Sequence, residues 1–173
     1  MKRYAWISPN YLKSNSIIQI NVDDKLILNS ILNCQEIYIR QIIGKNNYDM
    51  VSLEVEALLD TPGYVMTEES VKIIDAVRMV IVWGATRDFL DNNSLKVTNK
   101  GVVRLNDGQN QAVSSLELGS FKETAANKFD DYKAIAIRRL KDLNISVGSD
   151  AATKSYSSAG GMFIPRGRKE CGS

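Results

Sequence analysis

Residues 67–93 read TEESVKIIDAVRMVIVWGATRDFLDNN, and this stretch decides the fold class. Thr67 can cap a helix with its hydroxyl, and Glu68 and Glu69 suit the positive end of the helix dipole. From there Val71, Ile74, Val77, Ile81 and Ala85 recur at spacings of three and four, which is one stripe of an α-helix. Met79, Val80, Val82 and Trp83 make the second half apolar on most sides. A helix of that kind sits in the middle of a bundle. Asp91-Asn92-Asn93 is its expected end.

Upstream, Ser8-Pro9 reads as a helix start, with the hydroxyl as N-cap and proline at the first position. That helix should end near Ser14-Asn15-Ser16, and Ile17 to Ile20 should be a short extended piece. Asn21 or Asp23 can cap the next helix, whose expected stripe is Leu28, Ile31, Leu32, Gln35, Ile39 and Ile42. Gly44 supplies a stop. A short helix is expected over Tyr48 to Leu59, followed by a turn at Asp60-Thr61-Pro62-Gly63, where proline and glycine fit the middle positions.

Downstream the period changes. Leu95-Lys96-Val97-Thr98 and Val102-Val103-Arg104-Leu105 flank Asn99-Lys100-Gly101, a hairpin signal at about residues 95–105. A two-stranded hairpin is marginal alone, so it has to pack on the bundle or on a neighbour. It is read either as a structural flap or as a projection into a pore or against a neighbouring subunit, through Lys96, Asn99, Lys100 and Arg104. A last long helix is expected from about Ser120 to Leu143. Its stripe is Ala125, Phe129, Tyr132, Ala136, Leu140 and Leu143, with Lys128, Lys133, Arg138, Arg139 and Lys141 opposite.

From Ser146 onward serine, glycine and alanine dominate. Ordering that stretch costs roughly 25–50 kcal/mol of backbone entropy. Burying Met162, Phe163 and Ile164 returns roughly 5–9 kcal/mol. Such an arm orders only when a partner supplies a groove and backbone hydrogen bonds. The sequence therefore predicts a mainly α protein. Residues 1–145 form a helical bundle of three long helices plus short ones, with a β-hairpin insertion. Residues 146–173 form an extended C-terminal arm.

The totals narrow the chemistry. The chain has 173 residues and a net charge of +2, from 22 basic and 20 acidic side chains, where a dedicated nucleic-acid binder shows a clear basic excess. It has no histidine, which removes the commonest general base and metal ligand. The carboxylate pairs Asp23-Asp24, Glu68-Glu69 and Asp130-Asp131 read as caps and solvated faces. Gly160-Gly161 lacks the Lys-Ser/Thr continuation of a phosphate loop. No catalytic residue, cofactor site or metal site is expected. Cys34 sits in an apolar helical pattern and Cys171 lies far from it in the chain, so a disulfide framework is not expected and a reducing compartment fits. The longest apolar run, Met79 to Ala85, is far short of the roughly 20 residues of a membrane span. No signal peptide is expected, and the chain is expected to be soluble with no membrane partner. In the arm, Met162, Phe163 and Ile164 are the expected partner-binding residues. Arg166, Arg168 and Lys169 add cations that suit phosphate or an acidic surface.

A resemblance adds to this. Ile7-Ser8-Pro9-Asn10-Tyr11-Leu12-Lys13 is followed by Asn21-Val22-Asp23-Asp24-Lys25-Leu26. Gln35-Glu36-Ile37-Tyr38-Ile39, Gln41-Ile42-Ile43-Gly44 and Tyr48-Asp49 come next. This third of the chain resembles the head–tail connector (adaptor, or ring) proteins of tailed bacteriophages, closest to the ring proteins of Bacteroidales-infecting, crAss-like phages. Ile43 stands where leucine is usual in them. The resemblance covers about 60 residues closely and implies no catalytic residue. It implies a virion protein at the head–tail junction, made in the host cytoplasm, with about twelve copies in a closed ring below the portal. The implied partners are further copies of the chain, the portal protein, other connector or tail proteins, and genomic DNA touched non-specifically in the channel. The alternative is a DNA-binding packaging protein of the small-terminase type. It needs basic residues near the start of a recognition helix, whereas the last helix carries them near its end, where they suit the helix dipole. A carboxylate–metal nuclease is a third reading.

Overall fold

In the computed structural model, residues 3–93, 96–98, 101–103 and 115–148 are described. The expected caps set the first elements. Tyr11 N–H donates to Ser8 Oγ at 3.1 Å, and Pro9 opens α1 (Pro9–Asn15), which buries Leu12. Asp23, rather than Asn21, caps α2 (Asp24–Cys34) by accepting from Lys25 N–H at 2.9 Å. Lys13 Nζ reaches both Asp24 Oδ1 at 2.6 Å and Ile20 O at 2.9 Å, stitching α1, the following loop and α2 together.

α2 runs without a break through a π-helical turn, Gln35–Ile39, into α3 (Arg40–Asp60). Ile27, Ile31 and Cys34 are buried before the wide turn, Gln35 and Ile39 within it, and Ile42 and Ile43 after it. Leu28, expected in the stripe, is 37% exposed; Ile27 holds the inward position because α2 turns that edge towards the next long helix. Gly44 has φ +77° and ψ 159°, so the path breaks there as expected. It does not end the element: helix resumes at once, and the short helix expected from Tyr48 is the second half of α3. The turn at residues 61–63 has φ +83° at Gly63, the conformation for which glycine is suited.

α4 (Glu68–Asn93) has its expected boundaries and its Thr67 cap, with Ser70 N–H 3.3 Å from Thr67 Oγ1. It packs mainly on α5 (Ser115–Asp142) and on α2, with shorter contacts to α1, the π turn and α3. Ile73, Val77, Val80, Ile81, Val82 and Ala85 are buried. Val71, expected inside, is 43% exposed, and Ile73 takes its place. A helix apolar on most sides does not specify which edge faces inward; the helices packed on it do. At Gly84 the three helices meet. A Cβ there would lie 2.5 Å from Cys34 Sγ and 3.0 Å from Phe129 Cε2, so glycine is what permits the approach. Tyr38 and Phe129 stack nearby, with ring centroids 5.0 Å apart at 59°.

α5 starts five residues before its expected start at Ser120 and runs through Gly119, since an isolated glycine costs only about 1 kcal/mol within a helix. Ala125, Phe129, Ala136 and Leu140 are buried and Tyr132 packs against the core. Leu143, expected in the stripe, is 40% exposed because the helix has already ended. Asn144 adopts φ +56°, Ile145 N–H bonds Leu140 O at 2.9 Å, and Asn144 N–H bonds Lys141 O at 2.9 Å. This left-handed cap turns Ile145 inward beside Leu140, the apolar contact that accompanies such ends.

The protein is thus mainly helical. Between α4 and α5, β1 (Lys96–Thr98) and β2 (Gly101–Val103) pair antiparallel with Lys96 opposite Val103. Asn99, Lys100 and Arg104 lie outside the described residues, as do residues 104–114. The expected arm residues Met162, Phe163, Ile164, Arg166, Arg168 and Lys169 also lie outside them. No helix among the described residues is long and apolar enough to cross a membrane.

Candidate docking surfaces

The root of the expected arm sits on the kink at Gly44. Gly148 N–H donates to Ile42 O at 2.9 Å, and Asn47 Nδ2 donates to Ile43 O at 2.9 Å and to Ser146 O at 3.3 Å. The kink frees the Ile42 carbonyl that an unbroken helix would have used, and the departing chain takes it up. Val147 packs on the core beside it. A Cβ on Gly148 would come within 2.2 Å of Gln41 O, so only glycine can lie this close. Residues 146–148, placed with the arm from composition, therefore lie against the bundle.

A second feature is a polar cleft of about 240 Å³ over the π turn, lined by Arg3, Tyr4, Glu36, Arg40, Tyr48 and Asp49 among others. Gln35 holds its floor. Its Oε1 accepts from Trp6 N–H at 2.9 Å and its Nε2 donates to Tyr4 O at 3.1 Å, so the N-terminal strap is tied to the turn. Glu36 pairs with Arg40 and accepts from Tyr48 Oη at 3.3 Å. Burial, then the Glu36 charge and hydrogen bond, push the Tyr48 hydroxyl above its usual pKa. Arg40 lies over the Tyr48 ring, and Trp6 stacks on that ring at 5.2 Å. Tyr4, Glu36, Arg40, Tyr48 and Asp49 each have a partner within the protein, so the arrangement is suited to holding the strap.

Cys34 is fully buried, and desolvation followed by the Asp88 charge pushes its thiol far up, away from the reactive thiolate. Among the described residues no group of three or more cysteines or carboxylates is placed to hold a metal ion.

A third feature escaped sequence reasoning. The loop after α1 and the adjoining ends of α4 and α5 enclose an apolar groove of about 200 Å³, lined by Ile17, Ile18, Val22, Phe89, Leu90 and Phe121. Ile20 beside it is 86% exposed and Phe121 is 43% exposed. The Lys122–Asp91 ion pair at 3.0 Å joins the two helix ends. The signal was present as three isoleucines in a short loop between two capped helices, too many for a connection that only has to be solvated.

Comparison with known proteins gives a family. The family of unknown function DUF6712 matches residues 39–145, well over half of the chain. The chain belongs to this family. The DUF6712 match starts at the last residue of the π turn and stops at Ile145, the inward-turned residue after α5. It spans α3, α4, both strands and α5. No curated protein matches the chain, and no solved structure does.

Proposed function

We propose that this DUF6712 protein is a structural head–tail connector subunit. About twelve copies form a closed ring below a phage portal, close the DNA-filled capsid and present a docking surface to the tail. The helical body makes side-to-side contacts. The strand pair is an insertion that faces the channel or a neighbour, with Lys96, Asn99, Lys100 and Arg104 as its polar contacts. Residues 149–173 form an arm that adds to the portal or to another ring protein through Met162, Phe163 and Ile164, with Arg166, Arg168 and Lys169 at an acidic surface. The protein works by assembly and carries out no reaction of its own, and it resides in the virion.

The observation that carries this reading is the fixed arm root. The Gly148–Ile42 bond and the Gln41 close approach hold the start of a segment too poor in apolar residues to order alone. Fixing the take-off point of such a segment is useful when the segment has to find a site on another chain. The resemblance of residues 7–49 to connector proteins supplies the kind of assembly.

The test is deletion of residues 149–173. The body should keep its helical signal and its unfolding midpoint, while binding to portal-containing particles is lost. A truncated protein that still assembles on those particles would show that the arm reading is wrong. Titration against duplex DNA over a salt series separates the packaging-protein alternative, for which binding falls steeply with salt.

A further inference from the structure

The second half of α3 carries apolar residues on more sides than the bundle covers. Val51 and Val55 are buried, whereas Leu53 is 58% exposed and Leu59 60% exposed. The same stretch is one-signed. Between Lys45 and Lys72 the chain has six acidic residues, Asp49, Glu54, Glu56, Asp60, Glu68 and Glu69, and no basic one. Lys45 pairs with Asp49 and Lys72 with Glu68, and the strap brings Arg3 to the side of Asp49 and Ser52. Among the described residues Glu56 and Asp60 take part in no ion pair; Asp60 accepts from the neutral Tyr4 hydroxyl. Leu53, Glu56 and Asp60 follow one another at spacings of three and four, so they share one face, and Leu59 lies three residues beyond Glu56. Exposed leucines beside uncompensated carboxylates suit a segment that is both apolar and basic.

Outside the described residues one segment combines those properties. Met162-Phe163-Ile164-Pro165-Arg166-Gly167-Arg168-Lys169 has three large apolar side chains, three cations and no acid. Tether length decides whose α3 it meets. Gly148 N–H is bonded to Ile42 O, and a Cβ on Gly44 would lie 3.9 Å from Gly148 Cα, so the tether starts at the beginning of this same helix half. From Gly44 the helix rises roughly 14 Å to Leu53 and roughly 22 Å to Leu59. Phe163 follows Gly148 by fifteen positions rich in serine, glycine and alanine. A chain of that composition and length spans on average roughly 19–23 Å, so it reaches this face without stretching. Such a tether holds the segment at roughly millimolar effective concentration, which separate molecules at micromolar concentration do not match. The chain between α4 and α5 leaves from the other end of α4, roughly 39 Å from the Thr67 end that touches Glu54.

We propose that the Met162–Lys169 segment rests on α3 of its own chain, with its apolar residues against Leu53 and Leu59 and its cations beside Glu56 and Asp60. Ordering a few residues costs backbone entropy comparable with what burying three apolar side chains returns, so the contact is exchangeable. A partner that supplies backbone hydrogen bonds as well as a groove displaces it. The arm is thereby covered in the lone protein and released at the site of assembly. The inference deepens the arm reading and rests on it for the displacing partner, while the contact within one chain is tested without that partner.

The experiment uses the full chain with a nitroxide spin label on Cys171; Cys34 is buried and stays unmodified. Labelled 15N protein is diluted into unlabelled, unmodified protein, so that only effects within one chain are read. Amide signals of residues 53–60 should be broadened relative to the reduced label, while those of residues 85–93 and 118–122 keep their intensity. Phe163→Ser, in the arm, and Leu53→Lys, at an exposed position, should each lower the ratio of docked to free arm at least about tenfold and restore the signals, with the helical signal unchanged. Broadening that survives both substitutions is proximity along the tether alone and overturns the proposal. Broadening that arises only when the spin label and the 15N amides are on different molecules overturns it too, as does its absence at residues 53–60. Portal binding is read separately. A chain that binds portal without the α3 contact removes only the contact, whereas a chain that shows the contact and never binds portal removes the connector reading.

Discussion

Gly84 offers a direct test of how the core is assembled. Gly84→Ala places a methyl 2.5 Å from Cys34 Sγ and 3.0 Å from the Phe129 ring, so one of these buried side chains has to shift. Overpacking of this kind costs about 1–3 kcal/mol, and the helix propensity of alanine over glycine returns about 0.8–1 kcal/mol. The single variant should therefore lose up to about 2 kcal/mol. Cys34→Ala removes one buried sulfur and should lose about 1 kcal/mol as a small cavity. In the double variant the new methyl enters the space the sulfur has left. The pair should then unfold close to the parent, an interaction energy of about 2 kcal/mol, within the range measured for residues in contact. Urea denaturation followed by far-ultraviolet circular dichroism measures all four corners of the cycle. Thermal midpoints should follow at about 2–4 °C per kcal/mol. If the two losses simply add, α2 and α4 do not meet at this point, and the packing of α2, α4 and α5 around Gly84 is wrong.

Gly148→Ala should disrupt the arm root alone: the Ile42 hydrogen bond and part of the Val147 contact go, at a cost of about 1–2 kcal/mol. Amide exchange should accelerate at residues 145–148 while α4 stays protected, and equal protection throughout would refute the clamp. Tyr48→Phe tests the polar cleft through pH. The folded state holds the Tyr48 hydroxyl above its ordinary pKa of 10.0, so its contribution is present below pH 10 and is lost as pH rises through the raised value. The variant should show a smaller loss of stability on alkaline titration than the parent, and identical curves would contradict the assignment. Glu54 accepts from Thr67 N–H at 2.7 Å and Thr67 Oγ1 at 2.8 Å; partial burial opposes ionisation, but these bonds prevail and lower its pKa from 4.5. Its contribution is thus present at neutral pH and is lost as pH falls below about 4.5 through the lowered value. Glu54→Gln should cost no more than roughly 1 kcal/mol at neutral pH, because the site is open to solvent. It should also flatten the acid limb of the stability curve, which a pH series of urea midpoints measures.

The family match divides the chain. DUF6712 covers α3, α4, α5 and the stretch between the last two, while α1, α2 and nearly all of the π turn precede it. These are the elements that hold the N-terminal strap and the Ile17–Val22 side of the apolar groove.

The sequence by itself determined where α1, α2 and α4 begin and where the chain breaks at Gly44, because those signals are chemical and local. Ser8, Asp23 and Thr67 cap with their own side-chain oxygens, and the Pro62-Gly63 turn and the Gly44 break need no distant residue. It also determined that α4 is central, since a segment apolar on most sides has to be covered. Only the tertiary structure decided which edges face inward. Ile27 displaced Leu28 and Ile73 displaced Val71 because helices with apolar residues on adjacent edges leave the choice to whatever packs against them. The close approaches at Gly84 and Gly148 were likewise invisible in the sequence. A glycine reads alike whether it is a break, a tolerated defect or a point of contact, and the partner that distinguishes these cases lies about fifty residues away from Gly84 and about a hundred from Gly148.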